Sequence, residues 1–266
     1  MNPRAARGCS GPSYVDYVSF FEFSLANDPL FYKYHYFEIS PPMGPIAVKS
    51  TVKREYYDNL VEWQQFFNKT GHIEVTLDEI QKVIYDSKNK DILLHTLQAL
   101  KDGDKPDGSK AGDLEGNRAL NYIIENKQTE VLEYIIYAKD CEPWVAEWDP
   151  WEDPPQRDFE EMERLINLGF ERYTRASVSF IKLRYAYQVV RLAQFSGQPE
   201  KCINYYDKMV PGLNVKSIIT YWAMGNKAGA LRSIGKPAES LVLDSLIFDQ
   251  CENMMESAFR DFFHPG

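Results

Sequence analysis

Cysteine is scarce in this chain and scattered: Cys9, Cys141, Cys202 and Cys251 among 266 residues, with no C-x-x-C pair and no spacing that gathers thiolates and imidazoles around zinc. That pattern argues against a metal site built on sulfur. The four histidines, His35, His72, His95 and His264, show neither HxxxH nor HExxH spacing, and no GxSxG or phosphate-cradling glycine loop occurs. Neither an enzyme nor a cofactor is therefore expected. No run approaches the ~20 apolar residues that span a bilayer. Basic residues are outnumbered, 30 Lys and Arg against 39 Asp and Glu for a net charge of −9, and they nowhere cluster. A surface that tracks nucleic-acid phosphates is thereby disfavoured.

What is present is enough apolar material for a real core: 44% of the residues are hydrophobic, and 17 Tyr and 15 Phe dominate the aromatics. The start, "MNPRAARGCSGPSYVDY", combines basic and small residues with Gly8-Cys9, as the end of a lipoprotein signal does. Residues 1–12 then read as a signal remnant or lipid-anchor linker with Cys9 as the lipidated residue, or else Cys9 is a plain cysteine. Residues 13–51 hold the aromatic clusters "SYVDYVSFFEF" and "PLFYKYHYFEI", broken by Asp28-Pro29 and ended by "SPPMGPI". Those prolines predict an irregular segment rather than a continuous helix.

From residue 52 to 266 the apolar period is helical. Leu60, Trp63 and Phe67 continue a stripe begun at Tyr56, and Gly71 closes it. Thr76 followed by Glu79 is a capping-box pattern ahead of Leu77, Ile80 and Ile84, and a further helix ends at Gly103. Two loops interrupt the series. In residues 101–117, Asp102, Asp104, Asp107 and Asp113 suggest calcium, but Pro106 and Asp113 fail the EF-hand positions, so a solvated loop is the expectation. In residues 142–157, Trp144, Trp148 and Trp151 stand beside Glu147, Asp149, Glu152 and Asp153, either as a sugar-stacking shelf or as a loop pinned by its tryptophans.

The turn around Gly197-Gln198-Pro199 is echoed 38 residues later by Gly235-Lys236-Pro237, and "NKQTEVLEYIIYAK" can be laid on the same frame with Lys127 opposite Gly197. The helix before the first turn carries two apolar stripes, Phe180, Leu183, Tyr187 and Val190, and Ile181, Tyr185, Val189 and Leu192. Its narrow polar set is Arg184, Gln188 and Arg191. A helix apolar over most of its circumference needs cover on several sides, as in a stacked array.

These features resemble tetratricopeptide repeats, which pair antiparallel helices of about 34 residues. "GQPEKC" puts Cys202 where that family has Ala and Tyr206 where it has a large aromatic; the second copy has Ser240 and Asp244 there. A fainter resemblance, carried by "GC", "YVDYVSFF", "AKDCEPWV" and "FIKLRYAYQVVRLAQFSGQ", is to large helical-repeat lipoproteins of Gram-negative bacteria.

The resemblances imply an all-α solenoid of stacked hairpins. The expected function is a non-catalytic scaffold or adaptor that binds a protein or peptide through Arg184, Gln188 and Arg191. It is tethered by Cys9 to the outer membrane or, alternatively, cytoplasmic. The runner-up is a glycan-binding lipoprotein using Trp144, Trp148 and Trp151; a hydrolase comes third. Met254, Met255, Phe259, Phe262 and Phe263 leave the last helix apolar, so that it either meets a continuation or partner of the array or folds back on the body.

Overall fold

Local chemistry sets several of the helix boundaries. In the computed structural model, residues 57–71, 73–106, 112–145 and 157–263 are described, with only the backbone of Glu256, Phe262 and Phe263. Helix α1 (Tyr57–Gly71) buries the expected stripe of Leu60, Trp63 and Phe67 completely. Helix α2 (Leu77–Ile84) opens on the capping box: Thr76 N–H donates to Glu79 Oε2 at 2.9 Å, and Glu79 N–H donates to Thr76 Oγ1 at 3.3 Å. After a 3-10 turn comes α3 (Lys90–Asp102), which Gly103 ends in the left-handed conformation, φ 82°.

Helices α4 (Arg118–Glu125), α5 (Thr129–Val145), α6 (Phe159–Arg175) and α7 (Ser179–Phe195) follow. Then come α8 (Pro199–Met209), α9 (Ile218–Ser233), α10 (Pro237–Gln250) and α11 (Met255–Phe263). The described residues contain no strand.

Consecutive helices pack on one another from α5 to α11, and α3, α5, α7 and α9 also pack in series, each on the next. Helix α7 therefore touches α5, α6, α8 and α9, which is why so much of its circumference is apolar. One hydrophobic core runs from Leu60 to Leu231's neighbour Ala230; a small separate cluster of Ile247, Cys251 and Ala258 holds α10 to α11. Where α6 crosses its neighbours, Gly169 is indispensable: a Cβ there would stand 2.1 Å from the Tyr137 hydroxyl and 2.7 Å from Val189.

The two Gly-x-Pro joints have the same backbone. Gly197 (φ 72°) and Gly235 (φ 76°) are left-handed, Gln198 N–H bonds the Ala193 carbonyl, Lys236 N–H bonds the Leu231 carbonyl, and Pro199 and Pro237 open the next helices. Lys127 is likewise left-handed, φ 48°, with Gln128 N–H on the Ile123 carbonyl. Its phase differs, however. Lys127 leads from α4 into α5, a member of the series α3–α5–α7–α9, whereas Gly197 and Gly235 lead out of members of that series.

Described residues at the edges of both expected loops take part in helical turns. Leu114 is buried in a 3-10 turn, and Asn117 caps α4 while its Nδ2 reaches the Glu79 carbonyl at 2.9 Å. Helix α5 continues through Pro143 to Val145 because Cys141 and Val145 are core residues.

The end of α2 is closed from a distance. Buried Lys139 of α5 donates its ammonium protons to the Ile84 and Asp86 carbonyls at 2.8 and 2.9 Å, and burial lowers its pKa to about 8. A lysine whose folded pKa lies below its unfolded one costs stability at low pH, and that cost is relieved as pH rises from about 8 to 10.5. Urea unfolding of the wild type should therefore gain at most ~1.4 kcal/mol per pH unit over that window relative to Lys139→Met, a difference that flattens below it. At the strained joint, Lys127→Gly should raise stability by about 0.5–1 kcal/mol in the same assay, since glycine removes the left-handed Cβ penalty.

Candidate functional site: a groove on α7, α9 and α11

The polar stripe of α7 divides along its length. Arg184 is 0% exposed and Gln188 only 7%, so neither is a surface residue, contrary to the expectation that this stripe faces a partner. The reason is α1. Trp63 meets the Phe180 ring edge-on at 4.8 Å and Phe66 stacks on it at 4.6 Å, which places α1 over the first half of α7.

Arg184 lies 3.5 Å over the Phe180 ring and donates through Nη2 to Asn59 Oδ1 at 2.7 Å and Glu62 Oε2 at 3.0 Å. Glu62 in turn accepts from Ser217 Oγ at 2.7 Å and from the Ile218 backbone N–H at 2.6 Å, the start of α9. The residues read as a binding face thus form an internal tie of α1 to α7 and α9. Periodicity showed that Arg184 and Gln188 share a face, but not that a helix more than a hundred residues away covers it.

Arg191, one turn beyond Gln188, does emerge. It is half-buried, gives Nη2 to the Val145 carbonyl at 3.1 Å, and lies 5.8 Å from the ring centroids of both Tyr187 and Phe195. Among the described residues no carboxylate pairs with it. It lines a groove of about 440 Å³ between α7, α9 and α11.

One wall carries Tyr187 and Phe195. Opposite stands Trp222, 5.7 Å from Tyr187 at a 54° tilt, its Nε1–H held on Asn253 Oδ1 at 3.2 Å. The floor on α9 is Gly225 and Gly229. A Cβ on Gly225 would come within 2.6 Å of Met254 Cε, and one on Gly229 within 3.2 Å of Gln194 Nε2. Gln194 itself is unsatisfied: its Oε1 is buried without a hydrogen-bond partner.

The far end is ionic. Arg232 donates Nη1 to Ser240 Oγ and Asp244 Oδ2, and Nη2 to Asp261 Oδ2, each at 2.7 Å. Ser240 and Asp244 occupy the places of Cys202 and Tyr206 in the second copy of the turn, and both are buried. Where the first copy packs a thiol and a ring, the second therefore buries polar groups satisfied by an arginine from α9. Burial raises the Asp244 pKa, and Arg232 opposes that shift. Both carboxylates are engaged by Arg232.

The remaining candidates stand apart from this groove. Trp144 is half-buried against the core, while Trp148, Trp151 and Cys9 lie outside the described residues. Cys202 is fully buried under the Asn226 carbonyl, and burial pushes its thiol up to about 12, so no thiolate forms near neutrality. Asp102 accepts from Gln98 and Asp113 pairs with Lys88, while Asp107 is outside the described residues. Among the described residues, no cluster of His, Cys, Asp and Glu could hold a metal. Sequence reasoning missed Trp222, Gln194 and Asp261. The one sequence hint was Gly225-x-x-x-Gly229 inside a helix, one turn after a tryptophan.

Removing Arg184 should be costly, because Glu62 would lose its cation in a buried setting. Arg184→Met is expected to lower unfolding free energy by about 3–5 kcal/mol in urea titration, and adding Glu62→Gln should cost less than the sum of the two single changes. No protein-family model, no curated protein and no solved structure matches the chain.

Proposed function

We propose that the chain is a non-catalytic helical-repeat scaffold that holds a segment of another protein in the groove on α7, α9 and α11. The observation that carries this reading is the groove's composition. Three partly exposed rings, Tyr187, Phe195 and Trp222, flank the half-buried cation Arg191, which has no carboxylate partner among the described residues. Aromatic residues and arginine in a partly desolvated concavity are what concentrate binding energy at protein interfaces.

The stacked-hairpin reading rests on two supports: the shared backbone of the Gly197 and Gly235 joints, and the series α3–α5–α7–α9 in which each helix packs on the next. Tethering to an outer membrane through Cys9 belongs to the same proposal and rests on the sequence around Gly8-Cys9 alone.

Selection of a random peptide library displayed on phage tests the groove. Selected peptides should bind Trp222→Ala and Arg191→Ala at least about 30-fold more weakly than wild type, the loss expected on truncating a binding hot spot. Tyr205→Ala, on α8 and outside the groove lining, should bind them unchanged. Equal binding to Trp222→Ala would remove the groove from the function. A saccharide panel that binds where no peptide does, with binding lost in Trp144→Ala, would replace the peptide reading with the glycan one carried by Trp144, Trp148 and Trp151.

A further inference from the structure

The groove contains one polar group that the protein leaves unsatisfied. Gln194 Oε1 is buried without a partner, and its Nε2 forms no hydrogen bond to a described residue; the amide lies against Gly229. An orphaned buried acceptor destabilises the free protein, and a ligand that supplies a donor recovers that loss on binding. Beside it, over Gly225, the space is apolar: Met254 Cε and Ile247 Cδ1 are what a Cβ at Gly225 would meet, at 2.6 and 3.8 Å. A methionine is the side chain most easily displaced from such a place, because it is unbranched and adaptable.

Resting on the reading of the groove as a peptide site, we infer that the Gln194 amide, whose Oε1 is buried in the free protein, turns into the groove and pairs with a backbone amide of an extended peptide, whose neighbouring long apolar or aromatic side chain enters between Trp222 and the position of the Met254 methyl. The primary amide offers a carbonyl acceptor and N–H donors side by side, the complement of a peptide unit's N–H and C=O. A carboxylate cannot donate to Oε1. A sugar ring would set hydroxyls against the apolar side chains of Met254 and Ile247. Gly229 keeps the room this contact needs, since a side chain there would press on the Gln194 amide.

The test takes one peptide whose binding depends on Trp222 and methylates its backbone nitrogens one at a time. At one position N-methylation should weaken binding to wild type about tenfold, the worth of one hydrogen bond with its desolvation. That sensitivity should vanish in Gln194→Leu and persist in Gln194→Glu, which keeps the acceptor, with thermal unfolding showing that both variants are folded. Replacing the adjacent apolar residue of the peptide by Ser should cost a similar factor in all three proteins. If every N-methylated peptide binds as well as its parent, or if the sensitivity survives Gln194→Leu, the assignment of Gln194 is overturned while the peptide reading stands. If no peptide depends on Trp222, both fall.

Discussion

Every helix leaves backbone N–H groups at its start and carbonyls at its end without partners, and several of the eleven described helices have those groups closed by side chains from other helices. This chain meets the constraint with charged side chains sent from elsewhere in the fold. Glutamates close helix starts: Glu79 of α2 accepts from Arg118 N–H at α4, Glu130 of α5 from Ser177 and Val178 N–H at α7, and Glu62 of α1 from Ile218 N–H at α9. Cations close helix ends: Lys139 on Ile84, Arg191 on Val145, and Arg157 on Phe195. The signs match the helix dipole at both kinds of terminus. Val178, which has no capping side chain of its own, shows why a remote carboxylate is required.

Glu62 matters most among these, because its second interaction is with Arg184. A single carboxylate joins α1 to the start of α9 and to the middle of α7, and the guanidinium it holds is sandwiched against Phe180 beneath Trp63. That tie keeps α1 on α7, and only beyond it do α7 side chains become partly exposed on the groove side: Tyr187, Arg191, Gln194 and Phe195. The extent of the groove follows from where α1 lies. Arg191 serves both functions at once, closing α5 through Val145 and presenting charge to the groove.

The helices and their joints were legible because each needs residues within about five positions of one another: Thr76 with Glu79, Gly103 after α3, and Gly197 and Gly235 with their prolines. The core stripes of α1 and α7 were legible for the same reason, since period alone states which residues share a face. What a face meets was not. Arg184 finds Asn59 and Glu62 across 125 and 122 residues, and the groove draws on α7, α9 and α11 together. A polar stripe on a mostly apolar helix reads as solvent-facing until a distant partner is seen to satisfy it. Lys127 shows the reverse error: its backbone matches the joints, but only the packing shows that it enters the helix series where they leave it.

The two Gly-x-Pro joints share a backbone, but the helices they open pack through different side chains, and the difference lies at positions 240 and 244. At α8, Cys202 and Tyr206 are buried in the main hydrophobic core. Ser240 and Asp244 instead require Arg232, and Arg232 has a donor left over for Asp261 of α11. A buried ionic group of this kind adds little net stability, but it fixes geometry, because each partner is costly to leave unpaired. Its effect is to hold α11 at a set distance along α9, with Met254 over Gly225 and space left above Gly229. The small cluster of Ile247, Cys251 and Ala258, packed also against Trp222 and Met224 of α9, joins α11 to α10 and α9 on the apolar side of that ionic group. Arg232, held by Ser240, Asp244 and Asp261, thereby forms the polar end of a groove whose other end is aromatic.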